Sequence, residues 1–137
     1  NANANATSGV TGVDLTGKDI APDGGPANVG RVVYFDFDSY VVKADAQGLI
    51  DGNARFLKAD ANRKVVVEGH TDERGGREYN LALGQKRAEA VRRSLNLLGV
   101  QDSQVEAVSF GKEKPAAEGA NEAAYSQNRR AELSYRR

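Results

Sequence analysis

The chain has 137 residues, which suits one domain with a hydrophobic core and is short for two. Hydrophobic residues make up 39% and charged residues 28%, a balance that favours an ordinary globular domain over a disordered, fibrous or membrane-spanning chain. The 19 basic residues equal the 19 acidic ones, so the protein has no net positive charge to attract nucleic acid. The lack of cysteine excludes disulfides and thiolate metal sites.

The first 30 residues differ in composition from the rest of the chain. They are rich in Asn, Ala, Gly, Thr and Asp, contain two of the three prolines, and have apolar residues too scattered for a core face. This composition predicts a tether or a loosely docked arm over residues 1–30 and a folded domain over 31–137. Because the chain starts at Asn1 without a signal peptide, we expect a trimmed fragment whose leader and anchor have been left out.

From Arg31 onward, strand-like and helix-like segments alternate. Strands are predicted from β-branched and aromatic runs and helices from apolar residues spaced three or four apart. The predicted segments are a strand at 32–37, a helix at 44–59, a strand at 64–68, a helix at 77–98, a strand at 105–110, a helix at 121–127 and a strand at 130–135. Alternation in the first strand predicts that Phe35 and Phe37 face the core together.

The order β-α-β-α-β-α-β predicts an α/β fold of the two-layer α+β sandwich type. Helices are expected to pack on a four-stranded sheet, and at least some strands are parallel because the connections are long enough for crossovers. The order of the strands in the sheet does not follow from the sequence.

The loop between the second strand and the longest helix concentrates polar and flexible residues. It reads Gly-His-Thr-Asp-Glu-Arg-Gly-Gly from Gly69 to Gly76. Loops after strands are where α/β folds place their sites, and Asp72 is positioned to meet a cation at the end of the strand. The alternative is a loop in which Asp72 only forms an Asx-turn.

Helical phase links Asn80 and Arg87, which lie seven residues and two turns apart on a stripe beside the apolar face. Both are expected to be half-buried at the edge of the sheet, although Arg87 can also be a solvated member of a basic run. Just before the last strand, Arg129 and Arg130 can face a carboxylate or phosphate, or belong to the charged surface.

The sequence gives less support to a catalytic or metal site than to a binding site. His70 is the only histidine, so a zinc site would need carboxylates or water as its other ligands, and no metal is expected. His70 is predicted to be a hydrogen-bonded loop residue. Asp36 and Asp38 lie too close in one strand to act as a general acid and base, and a turn or helix cap is the expected role of Asp38 with Ser39.

Four segments together resemble one known family. They are Val33–Ser39 (VYFDFDS), Val67–Gly75 (VEGHTDERG), Tyr79–Ala88 (YNLALGQKRA) and Ser126–Leu133 (SQNRRAEL). In these segments the chain closely resembles the OmpA-like peptidoglycan-binding domain, from about Val32 to its end.

The resemblance implies a non-enzymatic module, without cofactor or metal, that binds the meso-diaminopimelate residue of a peptidoglycan stem peptide. It assigns the ligand's ammonium group to Asp72 and its carboxylate to Arg87. Residues expected to line or support the same pocket are Phe37, Asp38, Thr71, Asn80 and Arg129.

The resemblance also implies a place in the cell. It points to the periplasmic face of the Gram-negative outer membrane, a lipid-bearing cysteine that this chain lacks, and the β-propeller protein TolB as a partner competing for an overlapping surface. Two alternatives remain open. One is a peptidoglycan hydrolase using Asp36, Asp38 or His70, and the other is a stator or porin domain of the same superfamily, which should belong to a longer chain.

Overall fold

The computed structural model describes residues 19–135 and contains the seven predicted elements in the predicted order. The strands and helices are β1 (Val32–Tyr34), α1 (Gln47–Ala59), β2 (Val65–His70), α2 (Arg77–Leu97), β3 (Val105–Gly111), α3 (Glu122–Asn128) and β4 (Arg130–Ser134). Short 3-10 turns precede α1 and β3. Within the described range, no helix has the length and apolar character needed to cross a lipid bilayer.

The four strands form one mixed sheet in the order β1-β4-β2-β3. Strands β2 and β3 are parallel, whereas β4 runs antiparallel to both β1 and β2. The prediction of helices on a mixed four-stranded sheet is therefore confirmed. The last strand enters the middle of the sheet, so the segment just before β4 comes close to the carboxyl end of β2.

The hydrophobic core lies between the sheet and helices α1 and α2. Its most deeply buried members, each at most 2% exposed, include Val33, Ile50, Leu57, Val65, Val67, Val91, Leu95 and Leu133. Since successive strand residues point to opposite faces, Val65 and Val67 point to the helices, and Val66, Glu68 and His70 point to the other side. We call that other side the helix-free face.

Two glycines bring α2 unusually close to β2. A Cβ atom on Gly69 would lie 1.7 Å from the carbonyl oxygen of Gly84, and a Cβ on Gly84 would lie 2.3 Å from Ser109 Oγ. Only glycine allows two backbones to approach this closely. The contact fixes α2 above the carboxyl end of β2, with Arg87 one turn beyond Gly84.

The predicted tether over residues 1–30 lies partly outside the described residues. Of the described part, residues 19–30 form a turn that packs on the domain, with a bridge between Ile20 and Pro26. Arg31 donates to Asp23 at 2.9 Å, and Asn53 Nδ2 donates to the carbonyl of Gly30 at 3.0 Å. The division of the chain at residue 30 stays a prediction.

The first strand is shorter than predicted. It ends at Tyr34, and the chain turns over residues 36–39, with Asp38 at a φ of 54° and Ser39 N–H donating to the Asp36 carbonyl. Phe35 is 2% exposed but Phe37 is 61% exposed, so the prediction that both face the core is wrong. The expected turn at Asp38 and Ser39 is confirmed, and it interrupts the alternation.

Candidate functional site

A cleft of about 300 Å³ opens where the turn after β1, the loop after β2 and the first turns of α2 meet. Its lining combines aromatic, anionic and cationic side chains, namely Phe37, Asp38, Thr71, Asp72, Arg74, Gly75, Tyr79, Asn80, Leu83 and Arg87. Six of the seven residues predicted for the site lie in this lining, and Arg129 lies directly behind it.

Asp72 is the buried carboxylate of the cleft, with 5% of its surface exposed. Its Oδ1 accepts the backbone N–H of Arg74 at 3.0 Å, so the Asx-turn proposed as the alternative reading is present. Burial raises the pKa of Asp72, but hydrogen bonds from the Arg74 side chain and backbone, with the charges of Arg74 and Arg129, outweigh burial and hold the pKa below its ordinary value. Asp72 is therefore ionised at neutral pH.

Arg74 covers Asp72 from the solvent side. Its Nη2 donates to Asp72 Oδ2 at 2.8 Å and its Nε donates to Oδ1 at 3.2 Å. The guanidinium lies between two aromatic rings, 4.3 Å from the centroid of Phe37 and 4.2 Å from that of Tyr125. Arg74 is not among the residues predicted for the site, and its place two residues after Asp72 is the only signal for it in the sequence. The Arg74 guanidinium thus already occupies the end of the cleft where Asp72 lies.

Arg129 approaches Asp72 from the interior. Its Nε donates to the carbonyl of Phe35 at 3.0 Å and its Nη2 donates to Glu122 at 2.8 Å. The remaining terminal nitrogen, Nη1, is 3.6 Å from Asp72 Oδ2, and it makes no hydrogen bond within the described part of the chain. Arg129 therefore fixes the charge environment of Asp72.

Arg87 is fully buried, at 0% exposure, and Asn80 is 1% exposed, so the expectation that both are half-buried is wrong. The close approach of α2 to β2 explains the difference. Arg87 donates to three backbone carbonyls, Ser39 at 2.8 Å, His70 at 2.9 Å and Asp36 at 3.2 Å. Burial lowers its pKa to about 10, which leaves it protonated at neutral pH.

Two polar residues of α2 fix the rim of the cleft. Asn80 Nδ2 donates to the carbonyl of Arg74 at 2.9 Å and so holds the loop that carries Asp72. The hydroxyl of Tyr79 donates to Asp38 Oδ1 and ties the turn after β1 to the helix. Thr71 is 3% exposed, and its Oγ1 donates to the Asp72 carbonyl at 3.0 Å. Tyr79 is not among the residues predicted for the site, because its only signal in the sequence is its position beside Asn80.

Around the cleft, three guanidinium groups surround one buried carboxylate. Arg74, Arg87 and Arg129 are cationic, whereas Asp72 is buried and ionised and Asp38 lies at the exposed rim. This arrangement suits a ligand that presents carboxylates together with an ammonium group, since guanidinium groups bind carboxylates through paired hydrogen bonds.

His70 does not take the predicted role of a hydrogen-bonded loop residue. It is the last residue of β2, it is 2% exposed, and neither ring nitrogen has a hydrogen-bond partner within residues 19–135. Its ring stacks on Phe110 on the helix-free face and does not line the cleft. Asp36 forms an ion pair with Lys43 at 3.0 Å. The acid–base groups of the hydrolase alternative therefore do not converge.

The buried imidazole predicts a loss of stability in mild acid. Burial, followed by the charge of Arg130, lowers the pKa of His70 from 6.5 to about 4. Below pH 6.5 His70 becomes protonated in the unfolded chain, whereas in the folded chain it stays neutral until about pH 4. The free energy of unfolding therefore falls as the pH falls through this window. Between pH 7 and pH 5 we expect His70 to account for a loss of about 1–2 kcal/mol.

Urea unfolding in EDTA at both pH values measures this loss. The variant His70→Phe retains an aromatic ring against Phe110 and should lose less stability between the two pH values than the unmodified chain. Equal losses in the two proteins would show that His70 is not responsible.

Comparison with known proteins gives one consistent family. A model of the OmpA family matches residues 34–129. The peptidoglycan-associated lipoprotein of Pasteurella multocida is 56% identical over 105 residues, which cover 77% of this chain and 70% of the relative. That of Pseudomonas putida is 54% identical over 100 residues, which cover 73% of this chain and 60% of the relative. The matched part thus spans less than two thirds of the second relative's length.

Solved structures agree with the sequence matches. The crystal structure of the peptidoglycan-associated lipoprotein from Burkholderia pseudomallei is similar with a TM-score of 0.76 and 61% identity, covering 77% of this chain and 90% of that one. The C-terminal domain of Helicobacter pylori MotB has a TM-score of 0.69 at 22% identity, covering 77% of this chain and 82% of that one. The second similarity supports the fold alone.

Proposed function

The chain belongs to the OmpA family, and we propose that it binds peptidoglycan non-covalently through the cleft that contains Asp72 and Arg87. The relatives reported above are named for their association with peptidoglycan, and their names describe no enzymatic activity. The observation that supports the proposal most strongly is the buried, ionised Asp72 beside a buried, protonated Arg87 in one open cleft.

The ligand we propose is the meso-diaminopimelate residue of a stem peptide. The free end of this residue carries an ammonium and a carboxylate on the same carbon atom. Arg87 has five N–H groups, and the three that bind backbone carbonyls leave two for a carboxylate in the cleft. Asp72 would accept the ammonium group, and Phe37, Asp38, Thr71 and Asn80 would form the walls, with Arg129 behind Asp72.

Arg74 has a specific part in this proposal. Because its guanidinium already binds Asp72, the ligand ammonium must share or replace that contact. The Arg74 side chain is 38% exposed, so it can turn outward once the ligand ammonium replaces its contact with Asp72, and there it would meet a second carboxylate of the peptide. A ligand with more carboxylates than ammonium groups is therefore favoured over a simple cation.

The cellular role that we propose is to tether the outer membrane to the cell wall within the Tol-Pal system. The name lipoprotein in the relatives supports a lipid anchor on the full-length protein at the periplasmic face of the outer membrane. TolB is the proposed second partner, competing for an overlapping surface. Addition of TolB is then expected to release the chain from peptidoglycan.

Co-sedimentation with purified sacculi tests the proposed function. The chain should pellet with sacculi whose stem peptides contain diaminopimelate and should stay in the supernatant with sacculi that contain lysine instead, because lysine lacks the distal carboxylate. Equal sedimentation with both kinds would contradict the assignment to diaminopimelate. Continuous release of soluble muropeptides would instead support the hydrolase alternative.

A further inference from the structure

A second cluster of ionisable side chains lies on the helix-free face. Glu68 and His70 belong to β2 and Glu132 belongs to β4, and one ligand atom from each lies within 4.8 Å of the other two. None of the three lines the cleft described above. The cluster is therefore separate from the proposed peptidoglycan site, and it does not rest on that function.

The register of the sheet places two carboxylates opposite each other. Glu68 pairs directly with Glu132 across the β2 and β4 strands, and His70 pairs with Arg130. Like charges directly opposite on neighbouring strands are destabilising unless a cation lies between them or beside them. Arg130 lies beside this pair, since its Nε donates to Glu132 Oε2 at 2.5 Å.

His70 gives the cluster a donor atom that has no hydrogen-bond partner elsewhere in residues 19–135. Both ring nitrogens are buried without a hydrogen-bond partner in the described part of the chain, and Nε2 lies 3.8 Å from Glu68 Oε1. A buried imidazole normally satisfies at least one nitrogen. An imidazole nitrogen without another partner is a common ligand of metal ions.

We propose that Glu68, His70 and Glu132 form a binding site for a divalent transition-metal ion, with zinc as the best match. One imidazole nitrogen and two carboxylate oxygens are a donor set that zinc accepts, and water completes a tetrahedral shell. In such a shell neighbouring donor atoms lie about 3.3 Å apart. Side-chain rotations must therefore close the 3.8 Å separation between His70 and Glu68 and separations of up to 4.8 Å within the cluster.

The charges around the cluster are compatible with a bound dication. Within residues 19–135 the two carboxylates lie beside the guanidinium of Arg130, and the ammonium of Lys114 lies 4.0 Å from the centroid of the Phe110 ring against which His70 stacks. Arg130 also donates to the carbonyl of Lys114 at 3.1 Å, which fixes its position. Its bond to Glu132 would orient that ligand, as outer-shell partners of metal ligands commonly do. The sequence predicts no metal because it has a single histidine, and the pairing that brings Glu132 beside Glu68 joins strands far apart in the chain.

Titration of the EDTA-treated chain with zinc alone tests the site. We expect one equivalent to bind with a micromolar dissociation constant. Since His70 is the only histidine, the nitrogen resonances of its ring report on one residue, and both should shift as zinc saturates the site. Absence of saturable binding at millimolar zinc, or unchanged imidazole resonances at saturation, would overturn the proposal.

Variants separate this site from other carboxylates. His70→Phe and Glu132→Gln should each weaken zinc binding at least about tenfold. Glu106→Gln is the matched control, because Glu106 is an exposed residue of β3 on the same face. The zinc affinity of this variant should stay within about twofold of that of the unmodified chain. If His70→Phe does not fold, the zinc affinity of Glu132→Gln and the shift of the His70 ring resonances test the site. Unchanged affinity in Glu132→Gln would contradict the site.

Discussion

Replacing Asp72 with Asn is expected to weaken binding of a diaminopimelate tripeptide by about 100-fold, which corresponds to about 2.7 kcal/mol. Asn preserves the shape of the side chain and can keep the Asx-turn bond to the Arg74 backbone. It removes the negative charge, so the ligand ammonium loses its counterion, and Arg74, Arg87 and Arg129 are left as an excess of positive charge. Truncating one member of a buried charge pair commonly has an effect of this size.

Isothermal titration calorimetry with the soluble tripeptide measures the effect. Asp102→Asn provides the matched control, because this aspartate precedes β3 at the opposite end of the parallel β2–β3 pair, and its side chain is 75% exposed. The control should bind within about twofold of the unmodified chain. A loss of less than threefold in Asp72→Asn, with an unchanged amide spectrum, would mean that Asp72 does not bind the ligand.

Gly69→Ala is expected to lower the free energy of unfolding by at least about 3 kcal/mol. The added Cβ would lie 1.7 Å from the backbone oxygen of Gly84. A backbone atom cannot rotate away as a side chain can, so α2 must move off β2. The movement would separate Arg87 from the carbonyl of His70. If Gly69→Ala folds, it should therefore also bind the diaminopimelate peptide more weakly.

Gly48→Ala tests whether any glycine replacement has this effect. Gly48 lies on the exposed side of α1, and an added Cβ would meet nothing within 4 Å. Since Gly48 lies in the first turn of α1, this change should not destabilise the protein and should stabilise it by at most about 1 kcal/mol. Denaturant unfolding of both variants gives the comparison. An unfolding midpoint for Gly69→Ala equal to that of the unmodified chain would contradict the close approach of α2 and β2.

Local pattern was enough to predict the fold, because each element has a strong signal of its own. The β-branched run of β2 and the apolar spacing of α2 each predict one structure, and the lengths of the connections allow crossovers. The strand order was not predictable, since pairing β4 between β1 and β2 depends on contacts far apart in sequence. The end of β1 was misjudged because the turn at Asp38 resembles a continued alternation.

The site was predictable in its members but not in its geometry. Asp72 and Arg87 follow from the loop after β2 and from the resemblance of four segments to one family. The full burial of Arg87 was not predictable, because it requires three carbonyls from two other segments and the glycine contact beneath α2. Arg74 was missed for a related reason, since its position between Phe37 and Tyr125 joins residues from three parts of the chain.

Arg87 is buried without a carboxylate partner at hydrogen-bonding distance among residues 19–135, and this has a physical consequence. Backbone carbonyls solvate the guanidinium but do not neutralise it, so the interior retains a positive charge that favours an incoming carboxylate. Asp72 raises the pKa of Arg87 through its charge, which links the two ends of the cleft. Recognition of both charges on one ligand is the central claim of this account.

Chemical-shift mapping with two soluble tripeptides tests that claim most directly. One tripeptide ends in meso-diaminopimelate, and the other has lysine in its place, which retains the ammonium group and lacks the distal carboxylate. The diaminopimelate peptide should perturb amides around the cleft, at Asp38, Asp72, Arg74 and Asn80, with an affinity at least about 30-fold higher than that of the lysine peptide. Equal affinities for the two peptides, or perturbations confined to another surface, would contradict the account.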